Sequence, residues 1–437
     1  VLKLMSKLDD LRKRLLEYHP IQKLGRVSQI IGLTIKARGP RVSLGELCTV
    51  TTETGQELIM EVVGFEEDYN ILMPLGETTA LAPGCQVKAL NSQFKVNVGT
   101  ELLGRVINGL GNPIDGLGPI SGESYPVNQL PPNPLEREYI DQVMPVGVRA
   151  IDGVITCGKG QRLGIFAGSG VGKSTLLGMM AKNTQADINV IGLIGERGRE
   201  VKDFLVNELG EAGLKKSVVV VATSDQPPLI RIKAAFVTTA IAEYFCAKGN
   251  DVLLMMDSIT RFAMSQREVG LATGEPPATR GYPPSVFALL PKLLERAGNF
   301  TTGSITGFYT ILVEGDDMNE PITDTVRGIL DGHIMLSRKL ATNNHYPAID
   351  VLNSISRVME DIVDERQLKD AYKLKKILAT YYQAKDLIDI GAYKNGSNHE
   401  IDYSLQYLNK CNMFLQQEVN ELSDFKVTIE QLFSLFD

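Results

Sequence analysis

Three periodicities of hydrophobic and polar positions succeed one another along the chain. In the first 20 residues Leu4, Leu8, Leu11 and Leu15 recur at spacings of four and three among Lys3, Lys7, Arg12, Lys13 and Arg14. This spacing predicts an amphipathic helix with a basic face, which either packs on its own protein or docks on a partner. From Gly25 to Leu90 the pattern shortens to β-type runs at 26–31, 33–37, 47–51, 56–65, 70–73 and 86–89, separated by Gly-Pro, Pro-Leu-Gly and Pro-Gly. So many short strands predict a small barrel or sandwich. Between about 91 and 350, apolar runs at 162–167, 188–194, 217–222, 251–256, 307–313 and 333–336 alternate with stretches of helical length, notably 201–210 and 229–247. Strands apolar on both faces and joined by crossover helices predict a mostly parallel sheet covered on both sides. From Asp364 helical spacing returns in Leu368, Ala371, Tyr372, Lys375, Leu378 and Tyr381, broken at Gly391 and 394–398. A small helical domain is expected there.

The turn after the 162–167 strand carries the most chemistry. Ala167 is followed by Gly168, Ser169, Gly170, Val171, Gly172, Lys173, Ser174 and Thr175, and the run 175–182 can be helical. Strand, glycine-rich loop and helix in that order form a phosphate-binding loop. Its glycines let successive N–H groups face phosphate oxygens, the helix N-terminus adds positive potential, and Lys173 reaches the terminal phosphates. Ser174 supplies a hydroxyl to Mg²⁺. Ala167 stands where such loops usually begin with glycine, which is tolerated if φ stays negative there.

Two carboxylates belong to the same edge. Asp257 closes the apolar run Asp251-Val-Leu-Leu-Met-Met-Asp257, placing a charge where it can hold Mg²⁺ through its water shell. Glu196, in Gly195-Glu-Arg-Gly-Arg-Glu200, follows the 188–194 strand and is the candidate for polarising water in line with the terminal phosphate. The competing account makes Glu196, Arg197, Arg199 and Glu200 a structural ion-pair network. Arg357, in Ser354-Ile-Ser-Arg-Val358, is of the residue type that neutralises charge on a transferring phosphoryl group, and in ring ATPases it usually comes from the next subunit.

Composition narrows the remaining classes. A chain of 437 residues with 43% hydrophobic and 22% charged residues can hold two or three domains, and its apolar runs are far too short to cross a bilayer. A net charge of −7 argues against a surface that coats nucleic acid. Cys48, Cys85, Cys157, Cys246 and Cys411 are scattered and read as reduced cytosolic thiols, and four dispersed histidines make no metal site. Val at position 1 implies that at least an initiator methionine precedes it.

The sequence resembles the flagellar and type III secretion export ATPases, relatives of the catalytic subunits of rotary ATP synthases. The resemblance rests on Gly104-Arg-Val-Ile-Asn-Gly-Leu-Gly-Asn-Pro-Ile-Asp-Gly116, the loop at 166–174, the Gly195–Glu200 run, Asp257-Ser-Ile-Thr-Arg-Phe-Ala263 and Gly274-Glu-Pro-Pro-Ala-Thr-Arg-Gly-Tyr-Pro-Pro-Ser285. It continues through Glu314-Gly-Asp-Asp-Met-Asn-Glu-Pro321, Gly328-Ile-Leu-Asp-Gly-His333, Tyr346-Pro-Ala-Ile-Asp350 and Asp386-Leu-Ile-Asp-Ile-Gly-Ala-Tyr393. It implies an α/β fold in four parts: a partner-binding helix at 1–23, a β-barrel at 24–93, a RecA-like P-loop ATPase core at 94–363 and a C-terminal helical domain at 364–437. By position it makes Glu196 the catalytic carboxylate with Arg197 beside it, Lys173 and Ser174 the phosphate and Mg²⁺ ligands, and Asp257 the completion of the metal shell. Tyr346 would stack on the adenine of ATP and Arg357 would serve an adjacent subunit. The implied assembly is a homohexamer at the cytoplasmic face of the inner-membrane export apparatus. Its partners would be a stator protein at the N-terminal helix, a coiled-coil central stalk, export chaperone–substrate complexes and the membrane export gate, with no nucleic acid. A rotary synthase catalytic subunit is the nearest alternative, but the C-terminal section offers only Glu421-Leu-Ser-Asp424 for that branch's Asp-Glu-Leu-Ser-Glu motif. A hexameric RNA translocase would need aromatics interleaved with basic residues in the barrel. A non-catalytic nucleotide-binding ring subunit would lack the carboxylate at Glu196.

Overall fold

Alternation along the first strands sets the architecture of the N-terminal part. A computed structural model describes residues 24–437 apart from Glu314 and Asp316, so the helix expected at 3–15 lies outside the described residues. Strands β1 (Leu24–Ile31), β2 (Thr34–Arg38), β3 (Glu46–Thr51), β4 (Glu57–Glu66), β5 (Tyr69–Pro74) and β6 (Gln86–Gln93) close into a barrel of order β1-β2-β5-β4-β3-β6. Leu58, Met60 and Val62 of β4 point inward with the period of two that a pleated strand imposes, and they meet Val27, Ile35, Val50, Leu72 and Val87. Register shifts at Val27/Gln29, Glu46/Cys48 and Val62/Gly64 bend the strands, and closure removes exposed edges. The barrel alternative is therefore the one realised.

The chain from Lys95 onward, apart from Ala272–Gly274, forms a second compact unit. Its strands are β7 (Lys95–Val98), β8 (Val106–Asn108), β9 (Glu123–Pro126), β10 (Arg162–Ala167), β11 (Ile188–Ile194), β12 (Ser217–Ala222), β13 (Asp251–Asp257), β14 (Gly298–Asn299), β15 (Ser304–Leu312), β16 (Gly332–Leu336) and β17 (Ile355–Ser356). A nine-stranded sheet runs β17-β16-β10-β15-β13-β11-β12-β8, with β14 paired to β15, while β7 and β9 form a separate ribbon. All contacts from β16 to β8 are parallel, and β11 and β12 are buried at every residue, as parallel strands covered on both faces must be. β15 begins three residues earlier than the apolar pattern suggests, because its polar residues are satisfied. Ser304 Oγ donates to Asp251 at 2.7 Å, and Thr306 Oγ1 accepts the Gly160 N–H at 2.9 Å.

The single helix expected at 201–210 is instead a composite. An α-helix at Gly198–Asp203 passes into a π-helix at Phe204–Leu209 and returns to α at Gly210–Lys215. Phe204 and Leu209 are both buried although five residues apart, a spacing that the wider π-turn brings to one side and a 3.6-residue helix does not. The C-terminal helices Glu365–Asp389, His399–Leu415 and Phe425–Ser434 start at Asp364, Asn398 and Asp424, whose side chains accept N–H groups of the first turn. Their apolar faces share one core with the helix Arg149–Val154, through Leu374, Ile377, Cys411, Phe414 and Leu432 against Ile151 and Val154. Arg149 fastens this junction by donating to the carbonyls of Phe414 and Gln416 and to Glu421. All five cysteines are buried and free, and among the described residues no helix is long and apolar enough to cross a membrane.

Candidate functional site

β10, third from the β17 end of the main sheet path, delivers the phosphate-binding loop. Ala167 is the last residue of β10, in register with Leu312 and Leu336, so its extended backbone carries a Cβ without penalty. The loop then turns through Gly170 and Gly172, at φ of 78° and 92°, and Gly172 caps the helix Lys173–Asn183 with no side chain over its free N–H groups. That open, glycine-lined N-terminus is an anion cradle. Ser174 is exposed in its first turn, and Thr175 Oγ1 donates to Glu208 of the π-helix at 2.8 Å. The ring of Tyr346 stands beside the loop: a Cβ built on Gly172 would lie 3.6 Å from its Cε1. Tyr346 is 44% exposed, and its carbonyl accepts the Gln417 N–H at 2.9 Å.

Three side chains remote in sequence meet at this edge. Lys173 Nζ lies 2.5 Å from Asp257 Oδ1 at the end of β13 and 3.7 Å from Glu196 Oε1 beyond β11. Asp257, 3% exposed, also accepts Thr310 Oγ1 of β15 on the same oxygen at 2.7 Å. Glu196 is aimed by Gly195, whose φ is 72° and whose added Cβ would fall 2.7 Å from Arg261 Cβ. Only glycine makes that turn. Burial, then the Asp257 charge and a hydrogen bond with Glu200, push the Glu196 carboxyl up to about 7 against the pull of Lys173, and the same bond lowers Glu200. Burial works against the Lys173 ammonium, but Asp257 and Glu196 outweigh it, so its pKa is raised.

The remaining residues fall elsewhere. Arg197, with 75% of its side chain exposed, reaches only Glu200 at 3.4 Å and does not join the cluster. Part of the alternative ion-pair network therefore exists, but Glu196 turns inward to Lys173. Exposed Arg357 follows β17, and its N–H donates to Asp331 O at the start of β16, the end remote from Leu336 and the loop. The chain thus does not gather Arg357 with its own Lys173. Thr310 and Glu208 carry no local signal, since a lone hydroxyl in an apolar run and a carboxylate on a helix are too common to single out.

The donor set fits magnesium. Among the described residues no cluster of three or more His, Cys, Asp or Glu side chains could hold a metal by itself. Asp257 and Ser174 offer hard oxygens next to a phosphate cradle, which suits an ion that keeps its waters and binds through one or two protein groups plus phosphates.

Models of the ATP synthase alpha/beta family match this chain in the β-barrel domain at 27–91 and the nucleotide-binding domain at 147–356, and the T3SS EscN ATPase C-terminal domain matches 363–434. The flagellum-specific ATP synthase of Bacillus subtilis (strain 168) is 54% identical over 422 residues, covering 95% of each chain. The type 3 secretion system ATPase of Xanthomonas euvesicatoria is 50% identical over 418 residues, again with 95% of each chain covered. The chain belongs to the family of flagellum-specific ATP synthases and type 3 secretion system ATPases. Its described fold is that of the export ATPases: the assembled EscN of enteropathogenic E. coli, solved in complex with its central stalk EscO, superposes with a TM-score of 0.87 at 47% identity over 94% of this chain and 99% of that one. The chain is accordingly a P-loop ATPase, and the clustered Lys173, Asp257 and Glu196 lie within the segment matched by the nucleotide-binding domain.

Proposed function

We propose that this export ATPase hydrolyses Mg²⁺–ATP through Glu196, which polarises the attacking water, and Lys173, which holds the terminal phosphates. The carrying observation is the Lys173 ammonium set between two carboxylates at the mouth of the phosphate loop. Gly168, Ser169, Gly170, Val171, Gly172 and Thr175 present loop N–H groups to the phosphates. Ser174 and Asp257 hold Mg²⁺, which when bound neutralises charge on the phosphate oxygens. Tyr346, beside Gly172, offers a face for the adenine. Arg357 serves a neighbouring copy in a homohexamer, a reading supported by its position at the far end of β16, and Arg197 orders the Glu196 turn through Glu200.

ATP hydrolysis here is linked to flagellar or type III protein export, as relatives of both kinds match along almost the whole chain. A coiled-coil stalk in the ring is supported by the EscN–EscO complex. The stator at residues 1–23, the chaperone–substrate complexes, the export gate and a cytoplasmic position at the inner membrane follow from the family reading, as do the domain limits 24–93, 94–363 and 364–437. Glu196→Gln is the test of the chemistry. It should retain binding of a fluorescent Mg²⁺–nucleotide and lose about 10²-fold or more in phosphate release, because an amide of the same shape cannot polarise water equally. Turnover near that of the unmodified protein would remove Glu196 from this role.

A further inference from the structure

β15 is buried along nearly its whole length, and each of its hydroxyls that meets a neighbouring element does a different task. Ser304 and Thr306 tie the start of the strand to Asp251 and Gly160, away from the phosphate loop. Thr310, fully buried near the carboxyl end, donates instead to Asp257 Oδ1. Valine would fill the same space with equal liking for a strand, so the O–H is what threonine adds. Lys173 and Thr310 share that oxygen, but they are held differently. The lysine hangs on a flexible four-carbon stem, whereas Thr310 is β-branched and sits on a strand in parallel register with β13, Met256 beside Tyr309. Any phosphate that draws the ammonium away leaves the Thr310 bond in place. A charge-assisted hydrogen bond to a carboxylate this deeply buried is among the stronger kinds.

We propose that Thr310 is a positioning residue for the ATPase reaction, fixing the orientation of the Asp257 carboxylate so that it can serve the metal. The assignment rests on the reading of Asp257 as a Mg²⁺ group. Fluorescent adenine nucleotide binding to the full chain, titrated with Mg²⁺, tests both, with thermal melting as a control for folding. Thr310→Val should leave metal-free affinity unchanged and require about tenfold more Mg²⁺ for the metal-dependent gain, the scale of one lost hydrogen bond to a charged group. Thr310→Ser, which keeps the hydroxyl, should titrate like the unmodified protein, and Asp257→Asn should shift at least as far as the valine variant. An unshifted valine variant beside a shifted Asp257→Asn overturns the role of Thr310 alone. An unshifted Asp257→Asn overturns both readings. Equal loss of metal-free and metal-dependent affinity in the valine variant shows mere structural damage and also overturns the proposal. Should the valine variant fail to fold, Thr310→Ala against Thr310→Ser gives the same comparison.

Discussion

At the scale of single residues, the site is governed by how few charges balance one another in a shielded place. Glu196 would ionise at 4.5 in water, but burial and Asp257 bring it to about 7. Its ionised form is therefore lost as pH falls through about 7, so kcat/KM for ATP should decline below that value along an acidic limb with unit slope. Glu200 contributes to the rise both by its charge and by accepting the Glu196 proton. Glu200→Gln removes the charge, and the limb should move to lower pH. A pH profile of kcat/KM for the two proteins decides it, and an unmoved limb would mean that Glu200 does not tune Glu196.

Between elements, the P-loop helix and the π-helical segment are packed at backbone distance. A Cβ on Gly178 would lie 2.7 Å from Glu208 Cβ and 3.0 Å from its carbonyl oxygen. Alanine in a helix interior normally gains about 1 kcal/mol over glycine. Here the neighbour is backbone that cannot swing aside, so Gly178→Ala should instead cost about 1–3 kcal/mol. The same displacement pulls Glu208 from Thr175 Oγ1, a contact that joins the first turn of the P-loop helix to the segment following Glu196. Denaturant midpoints should fall and nucleotide affinity with them. A variant as stable as its parent would show that the two elements have room to separate.

For the whole molecule, the proposal that Arg357 serves a neighbouring copy predicts that activity depends on assembly. Arg357→Ala and Glu196→Gln proteins should each be nearly inactive alone. Mixed rings that exchange subunits contain interfaces with an intact Glu196 facing an intact Arg357, and these should recover activity, since an arginine finger contributes on the order of 10³-fold or more. Phosphate release after mixing is the measurement, with subunit exchange verified separately. Full activity in an Arg357→Ala monomer would end the shared-site reading.

What the sequence determined by itself is what short-range chemistry encodes. The Gly168–Lys173 run names a phosphate ligand because loop geometry is local, and the apolar runs at 162–167, 188–194 and 217–222 coincide with β10, β11 and β12 because burial on both faces leaves a local mark. Asp257 and Glu196 were legible as strand-end carboxylates, but their distances to Lys173 were not. Those follow from the order β10-β15-β13-β11, which crossovers of many residues set and no local period records. The elevated Glu196 pKa sums burial and charges from several strands, and the Thr310 bond needs β15 in register beside β13. The π-turn at Phe204–Leu209 was hidden for a related reason: two buried residues five apart fit no helical repeat until the core on which both pack is in place.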